Sequence, residues 1–213
     1  MTRFLAERGI ESQFINGLRV TTPEVLDAVL KVLAGTVNRE LVAAFIAAGA
    51  SAVGITGMDG MTTEAEPLNS QLGAVGKPVH SDPRLLRTLL DHGYLPVVAC
   101  VAGDRGGRFF NVNADQMAVA CAAALDADCL LFLTDVEGVR GKDGKIHATL
   151  TTTECVTLIE DEIATGGMRA KLEAAMDALA RGVGQVVIAP GAFPGVVEQL
   201  MSGQVLGTRL VAA

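Results

Sequence analysis

Two apolar runs constrain this chain more than any other feature. Leu95-Pro-Val-Val-Ala-Cys-Val-Ala102 and Cys129-Leu-Leu-Phe-Leu133 carry no polar alternation. A strand with one wet face would alternate. Continuous runs of this length predict strands covered on both faces, as in a parallel sheet flanked by helices. Helix signals precede and follow both runs. Asp82-Pro83 opens a helix through about His92, and 114–125 is an alanine-rich helix. Strand-helix alternation predicts an α/β three-layer sandwich around a mostly parallel sheet.

The remaining segments fit that plan. Residues 1–8 read as the end of a helix, closed by Gly9. Residues 13–20 are extended. Thr22-Pro23 is a helix start, with threonine capping and proline in the first turn. Val25, Leu26, Val29, Leu30 and Leu33 then share one face. A second helix covers about 38–48, and 51–56 is a strand. Lys142-Asp-Gly-Lys145 reads as a hairpin turn. Helices are expected at 151–159, 168–180 and 194–201, with strands at 186–189 and 208–211. With 213 residues, half of them hydrophobic, one domain of two joined lobes is expected. The lobes divide at about 1–110 and 111–213.

Composition excludes several classes. Lys plus Arg total 17 against 24 Asp plus Glu, a net charge of −7. Such a chain lacks the basic face that nucleic acid requires. The longest candidate membrane span, 117–136, is interrupted by Asp126 and Asp128. A cytoplasmic protein is expected. The four cysteines form no C-x-x-C pair, and the three histidines have no ligand spacing. Neither a disulfide framework nor a metal site is predicted.

Chemistry is sought in the loops after the strands, where open α/β sheets bind ligands. Asn111-Val-Asn-Ala-Asp115 precedes a helix. Ordinary capping explains Asn113 and Asp115 and leaves Asn111 spare. Thr134-Asp-Val-Glu-Gly-Val139 ends a strand on a loop able to cradle a nucleotide, or on a plain turn. Thr165-Gly-Gly-Met-Arg-Ala-Lys171 places glycines at a helix start, where free N–H groups attract anions, and a lysine close by. Arg19, in Asn16-Gly-Leu-Arg-Val-Thr, is suited to gripping a carboxylate, or to a plain surface salt bridge.

The order of these motifs decides more than any one of them. G-L-R-V-T, G-x-T-G-x-D-G, F-N-V-N-A-D, L-T-D-V-E-G-V, G-G-M-x-x-K and G-T-R-L run from Gly17 to Leu210. This series resembles the amino acid kinase family, and within it the members that phosphorylate N-acetyl-L-glutamate in arginine biosynthesis. The resemblance implies an enzyme that moves the γ-phosphoryl of ATP, carried with Mg²⁺, onto a side-chain carboxylate. It implies Arg19 and Asn111 for the acyl-amino acid, and Lys171 and Asp115 for catalysis. For ATP it implies Asp135, Val136, Glu137, Gly138, Val139, Arg140, Ile163, Ala164 and Thr165, with no protein-held metal. A homo-oligomer is expected. The family pattern also includes a lysine-bearing strand beside paired glycines and an H-G-G-G-P loop, both missing from these 213 residues. A longer native chain is therefore expected, and weak activity from this one. A kinase of an aminoadipate derivative and a non-catalytic partner stay open as alternatives.

Overall fold

The computed structural model describes residues 1–15 and 17–213, so Asn16 lies outside the described residues. These residues fall into two compact units, Met1–Leu125 and Asp126–Ala213.

In the first unit, the short helix α1 (Thr2–Ala6) ends before Gly9. Strands β1 (Phe14–Ile15) and β2 (Leu18–Arg19) pair antiparallel. Helix α2 (Pro23–Val29) starts as its sequence dictates. The Thr22 hydroxyl accepts from the Val25 N–H at 3.3 Å, and Pro23 occupies the first turn. The sequence predicts two separate helices here, and the structure differs. A π-helical stretch, Leu30–Val37, joins α2 directly to α3 (Asn38–Ala47). Gly35 and Thr36 look like a break, but the chain widens its turn instead, and the Thr36 hydroxyl donates to the Lys31 carbonyl. Val25, Ala28 and Val29 pack with Leu5 and Val101.

Strand β3 (Ala52–Thr56) pairs in parallel with β6 (Leu95–Ala99), an alignment bridged by the long connection between them. That connection holds β4 (Thr63–Pro67), β5 (Val75–Ser81) and helix α4 (Arg84–Asp91). The single strand expected at 95–102 is divided. It turns at Cys100, and Val101–Gly103 forms a separate strand, β7. With β8 (Phe109–Val112), strands β4, β5 and β7 close a small four-stranded barrel in the order β4-β5-β8-β7. Ala65, Ala102, Phe110 and Val112 fill it together with Met117 of helix α5 (Ala114–Ala124).

The second unit is a four-stranded sheet with helices. Strands β9 (Cys129–Thr134), β10 (Thr149–Thr151), β11 (Gln185–Pro190) and β12 (Thr208–Val211) lie in the order β10-β12-β11-β9. The pairs β9–β11 and β10–β12 are parallel, and β11–β12 is antiparallel. Helices α6 (Thr152–Glu160), α7 (Gly166–Ala180) and α8 (Val196–Met201) connect them. Leu150, Leu172, Val186, Ile188 and Leu210 are fully buried. The full burial expected of 129–133 is not found, since β9 is half-buried and Leu133 is 46% exposed. The α/β class and the parallel pairings are as the alternation predicts. Outside the barrel and the β1–β2 hairpin, the β9–β11, β10–β12 and β3–β6 pairings are parallel and only β11–β12 is antiparallel, spread over a four-stranded and a two-stranded sheet.

Candidate active site

The unit boundary at Leu125 places Arg19, Asn111 and Asp115 in the first unit and Lys171 with residues 135–140 and 163–165 in the second.

Arg19 sits half-buried on β2. Its guanidinium stacks 4.6 Å from the centroid of the Phe14 ring, Nη2 donates to the Thr2 hydroxyl at 3.2 Å, and Nη1 donates to the Ser12 hydroxyl. Those partners are neutral. They fix the plane of the cation without neutralising it, which suits capture of a carboxylate. Asn111 lies on β8, three residues before the first residue of α5. Its Nδ2 donates to the Thr21 hydroxyl at 3.0 Å, and that hydroxyl donates to the Arg19 carbonyl at 2.9 Å. Asn113 caps α5, with Oδ1 accepting from the N–H groups of Asp115 at 2.9 Å and Gln116 at 3.2 Å. Asp115 stands in the first turn, at the positive end of the helix dipole. Two hollows of this unit, of about 400 and 520 Å³, are lined mainly by apolar groups, and neither is lined by Arg19 or Asn111. Burial pushes the Cys100 and Cys121 thiols up, so neither is a ready thiolate.

In the second unit, the loop after β9 carries Asp135 to Arg140. The Arg140 guanidinium pairs with Glu137 at 2.7 Å and donates to the Gly144 carbonyl at 2.9 Å. Val139 is fully buried, and its N–H donates to the Thr208 hydroxyl at 2.8 Å. A Cβ at Gly138 would lie 2.8 Å from both Ile146 Cγ2 and Thr208 Oγ1, so only glycine lets the loop lie this close. Ile163, Ala164 and Thr165 lead into α7. Thr165 makes no side-chain capping bond, the first turn of α7 holds no acid, and space is open beside Gly166 and Gly167. The Met168 and Arg169 N–H groups donate to the Thr165 carbonyl, and those of Gly166 and Gly167 are able to meet an anion. Lys171 Nζ lies 5.6 Å from the Phe132 ring centroid, so a strand residue supports the ammonium from below.

Sequence reasoning misses three contributors: Thr21, Thr208 and Phe132. Thr208 and Phe132 act on partners distant in sequence. A local signal exists for Thr21, whose hydroxyl donates to the Arg19 carbonyl two residues away.

A model of the amino acid kinase family matches residues 1–190. The chain belongs to the amino acid kinase family. It is 57% identical over 213 residues to the acetylglutamate kinase of Solibacter usitatus, covering all of this chain and 83% of that one. It is 45% identical over 216 aligned positions to the acetylglutamate kinase of Acidobacterium capsulatum, again covering 83% of the relative. Among solved structures, smu.665 from Streptococcus mutans UA159 superposes with a TM-score of 0.87 at 29% identity. The match covers this whole chain and 82% of that one. The N-acetylglutamate synthase of Neisseria gonorrhoeae, solved with coenzyme A and N-acetyl-glutamate, gives 0.86 at 28% identity, over 98% of this chain and 49% of its own. Family membership accounts for the shared motif order and the α/β fold.

Proposed function

We propose that this amino acid kinase transfers the γ-phosphoryl of ATP to the side-chain carboxylate of N-acetyl-L-glutamate, yielding an acyl phosphate and ADP. The observation that carries the reading is the 57% identity, over the full chain, with an acetylglutamate kinase. The chemistry agrees with the residues available. A carboxylate is ionised at neutral pH, so its oxygen attacks the γ-phosphorus without a general base. The bond from that phosphorus to the bridging oxygen breaks, and ADP leaves with the electron pair. Catalysis then consists of alignment and of stabilising charge on the moving phosphoryl.

In this reading Arg19 and Asn111 hold the acyl-amino acid. The loop 135–140, residues 163–165 and the first turn of α7 receive ATP. Lys171 meets the charge that builds on the phosphoryl oxygens, and Asp115 is the acidic member of the catalytic set. Among the described residues no three His, Cys, Asp or Glu side chains converge on a metal position. In this reading Mg²⁺ arrives with the nucleotide phosphates. No helix among the described residues is long and apolar enough to cross a membrane. A cytoplasmic homo-oligomer serving arginine biosynthesis completes the proposal. The test is hydroxylamine trapping of the acyl phosphate, with ATP, Mg²⁺ and N-acetyl-L-glutamate. Hydroxamate above the no-substrate control is expected. Hydroxamate from N-acetyl-L-aminoadipate alone, or from neither acid, overturns the assignment.

A further inference from the structure

We infer that Thr21 is the positioning residue of the acyl-amino-acid site, fixing which end of the Asn111 carboxamide faces the substrate. The inference rests on the reading of Arg19 and Asn111 as substrate-binding groups.

Thr21 is one of the few buried polar residues of the chain, with 0% exposure. Its backbone is held through both its N–H and its carbonyl by one segment, Leu72 to Ala74. The Thr21 N–H donates to the Leu72 carbonyl at 2.9 Å, and the Thr21 carbonyl accepts from the Ala74 N–H at 2.8 Å. Ala74 in turn accepts from the Asn111 N–H at 2.9 Å. The segment around Ala74 thus lies between Thr21 and Asn111 and spaces them. Gly73 packs so close that a Cβ there would overlap the Thr21 carbonyl oxygen. The hydroxyl is fixed because its own backbone is fixed by this bridge.

A threonine hydroxyl has one proton. Here it goes to the Arg19 carbonyl, 2.9 Å away. The oxygen is left as an acceptor only, and it takes the Asn111 Nδ2 proton at 3.0 Å. That order leaves no choice of carboxamide orientation. If Asn111 turned its oxygen toward Thr21, two acceptors would face each other in a buried place. So Oδ1 is directed away from Thr21 as an acceptor for an N–H group, and one Nδ2 proton remains for a carboxylate oxygen. An acylated amino acid offers both groups, an amide N–H beside an α-carboxylate. The same hydroxyl ties the Arg19 backbone to Asn111, so one buried proton sets the spacing of two binding groups 92 positions apart.

The experiment compares Thr21→Val, Thr21→Ser, Asn111→Ala and the Thr21→Val/Asn111→Ala double variant. Calorimetric Kd for N-acetyl-L-glutamate is measured beside KM for both substrates. Valine keeps the shape and removes the hydroxyl, and about a tenfold rise in Kd and KM for N-acetyl-L-glutamate is expected. KM for ATP should stay within twofold, serine should restore binding, and the double variant should match Asn111→Ala. Unchanged binding in Thr21→Val, while Asn111→Ala binds weakly, overturns the inference and spares the site. Unchanged binding in Asn111→Ala overturns the site itself. If Thr21→Val does not fold, NMR exchange of the Asn111 Nδ2 protons in the unaltered chain decides. One slow proton is expected, and two at the free carboxamide rate refute the role.

Discussion

Lys171 stands five residues into α7, where the helix dipole disfavours a cation. In the proposed reading it meets charge that appears only during reaction. Lys171→Ala is therefore expected to lower kcat by about 10²–10³ while moving KM for N-acetyl-L-glutamate only a few-fold. Steady-state rates with a large KM rise and an unchanged kcat would assign Lys171 to ground-state binding. Residue-level packing makes a second contrast. Gly203 (φ +87°) and Gly207 (φ +73°) both use left-handed backbone. Space is open beside Gly203, but a Cβ at Gly207 would overlap the Ile188 carbonyl oxygen and lie 2.8 Å from Ala189 Cα. Gly203→Ala should cost about 1 kcal/mol from backbone strain alone, and Gly207→Ala about 3 kcal/mol or more. Urea titrations giving equal losses would refute the packing argument. The motif residues are legible one by one because each sits in a short local pattern. Thr208 is not, because its partner lies 69 positions away, and Thr21 is only half so, with one partner two positions away and the other 90.

Helix α6 gives the sharpest prediction among the elements. The Thr151 hydroxyl accepts from the Glu154 N–H at 3.3 Å, and the Glu154 carboxylate accepts from the Thr151 N–H at 2.7 Å and hydroxyl at 2.8 Å. Thr151→Ala should destabilise the chain by about 1 kcal/mol. The backbone and side-chain hydrogen bonds from Thr151 hold the Glu154 carboxyl below its ordinary value of 4.5. The folded state then favours the ionised form. That stabilisation is complete above the unfolded value and is lost as pH falls through the lower folded one. Urea midpoints of Glu154→Gln and the unaltered chain should differ at pH 7 and converge as the pH falls below the ordinary carboxyl range. A gap that persists in acid would mean the glutamine disturbs something other than this cap. This helix was readable because its cap and its apolar face lie within ten residues. The β4–β5 pair was not. Thr-Glu-Ala-Glu-Pro buries only Thr63 and Ala65, and Pro78 interrupts the pattern of its partner strand. The barrel is decided by pairings with β7 and β8, which no local window contains. The run 95–102 misleads for a related reason. Uniform apolarity does not reveal that the chain changes sheets at Cys100.

At the scale of the molecule, a net charge of −7 works against two anionic ligands. Each must be held by local donors. Arg19 and Asn111 belong to the first unit, whereas the acid-free first turn of α7 and Lys171 belong to the second. This partition leads to a prediction for hydrogen–deuterium exchange read by mass spectrometry. N-acetyl-L-glutamate alone should slow peptides spanning 17–23 and 109–116. ATP with Mg²⁺ alone should slow 133–141 and 161–172. The α7 effect should be the larger of the two ATP signals, because the Gly166 and Gly167 N–H groups, unlike those of Met168 and Arg169, make no backbone bond and exchange fast until an anion meets them. Loop 135–140 starts with partial protection, since the Val139 N–H is already committed to Thr208. ATP protection confined to the first unit, or acyl-amino-acid protection confined to 133–172, would refute the division of labour while leaving family membership intact. Raising salt should weaken the ATP signal more than the N-acetyl-L-glutamate signal, because a triphosphate carries more charge to screen than a dicarboxylate.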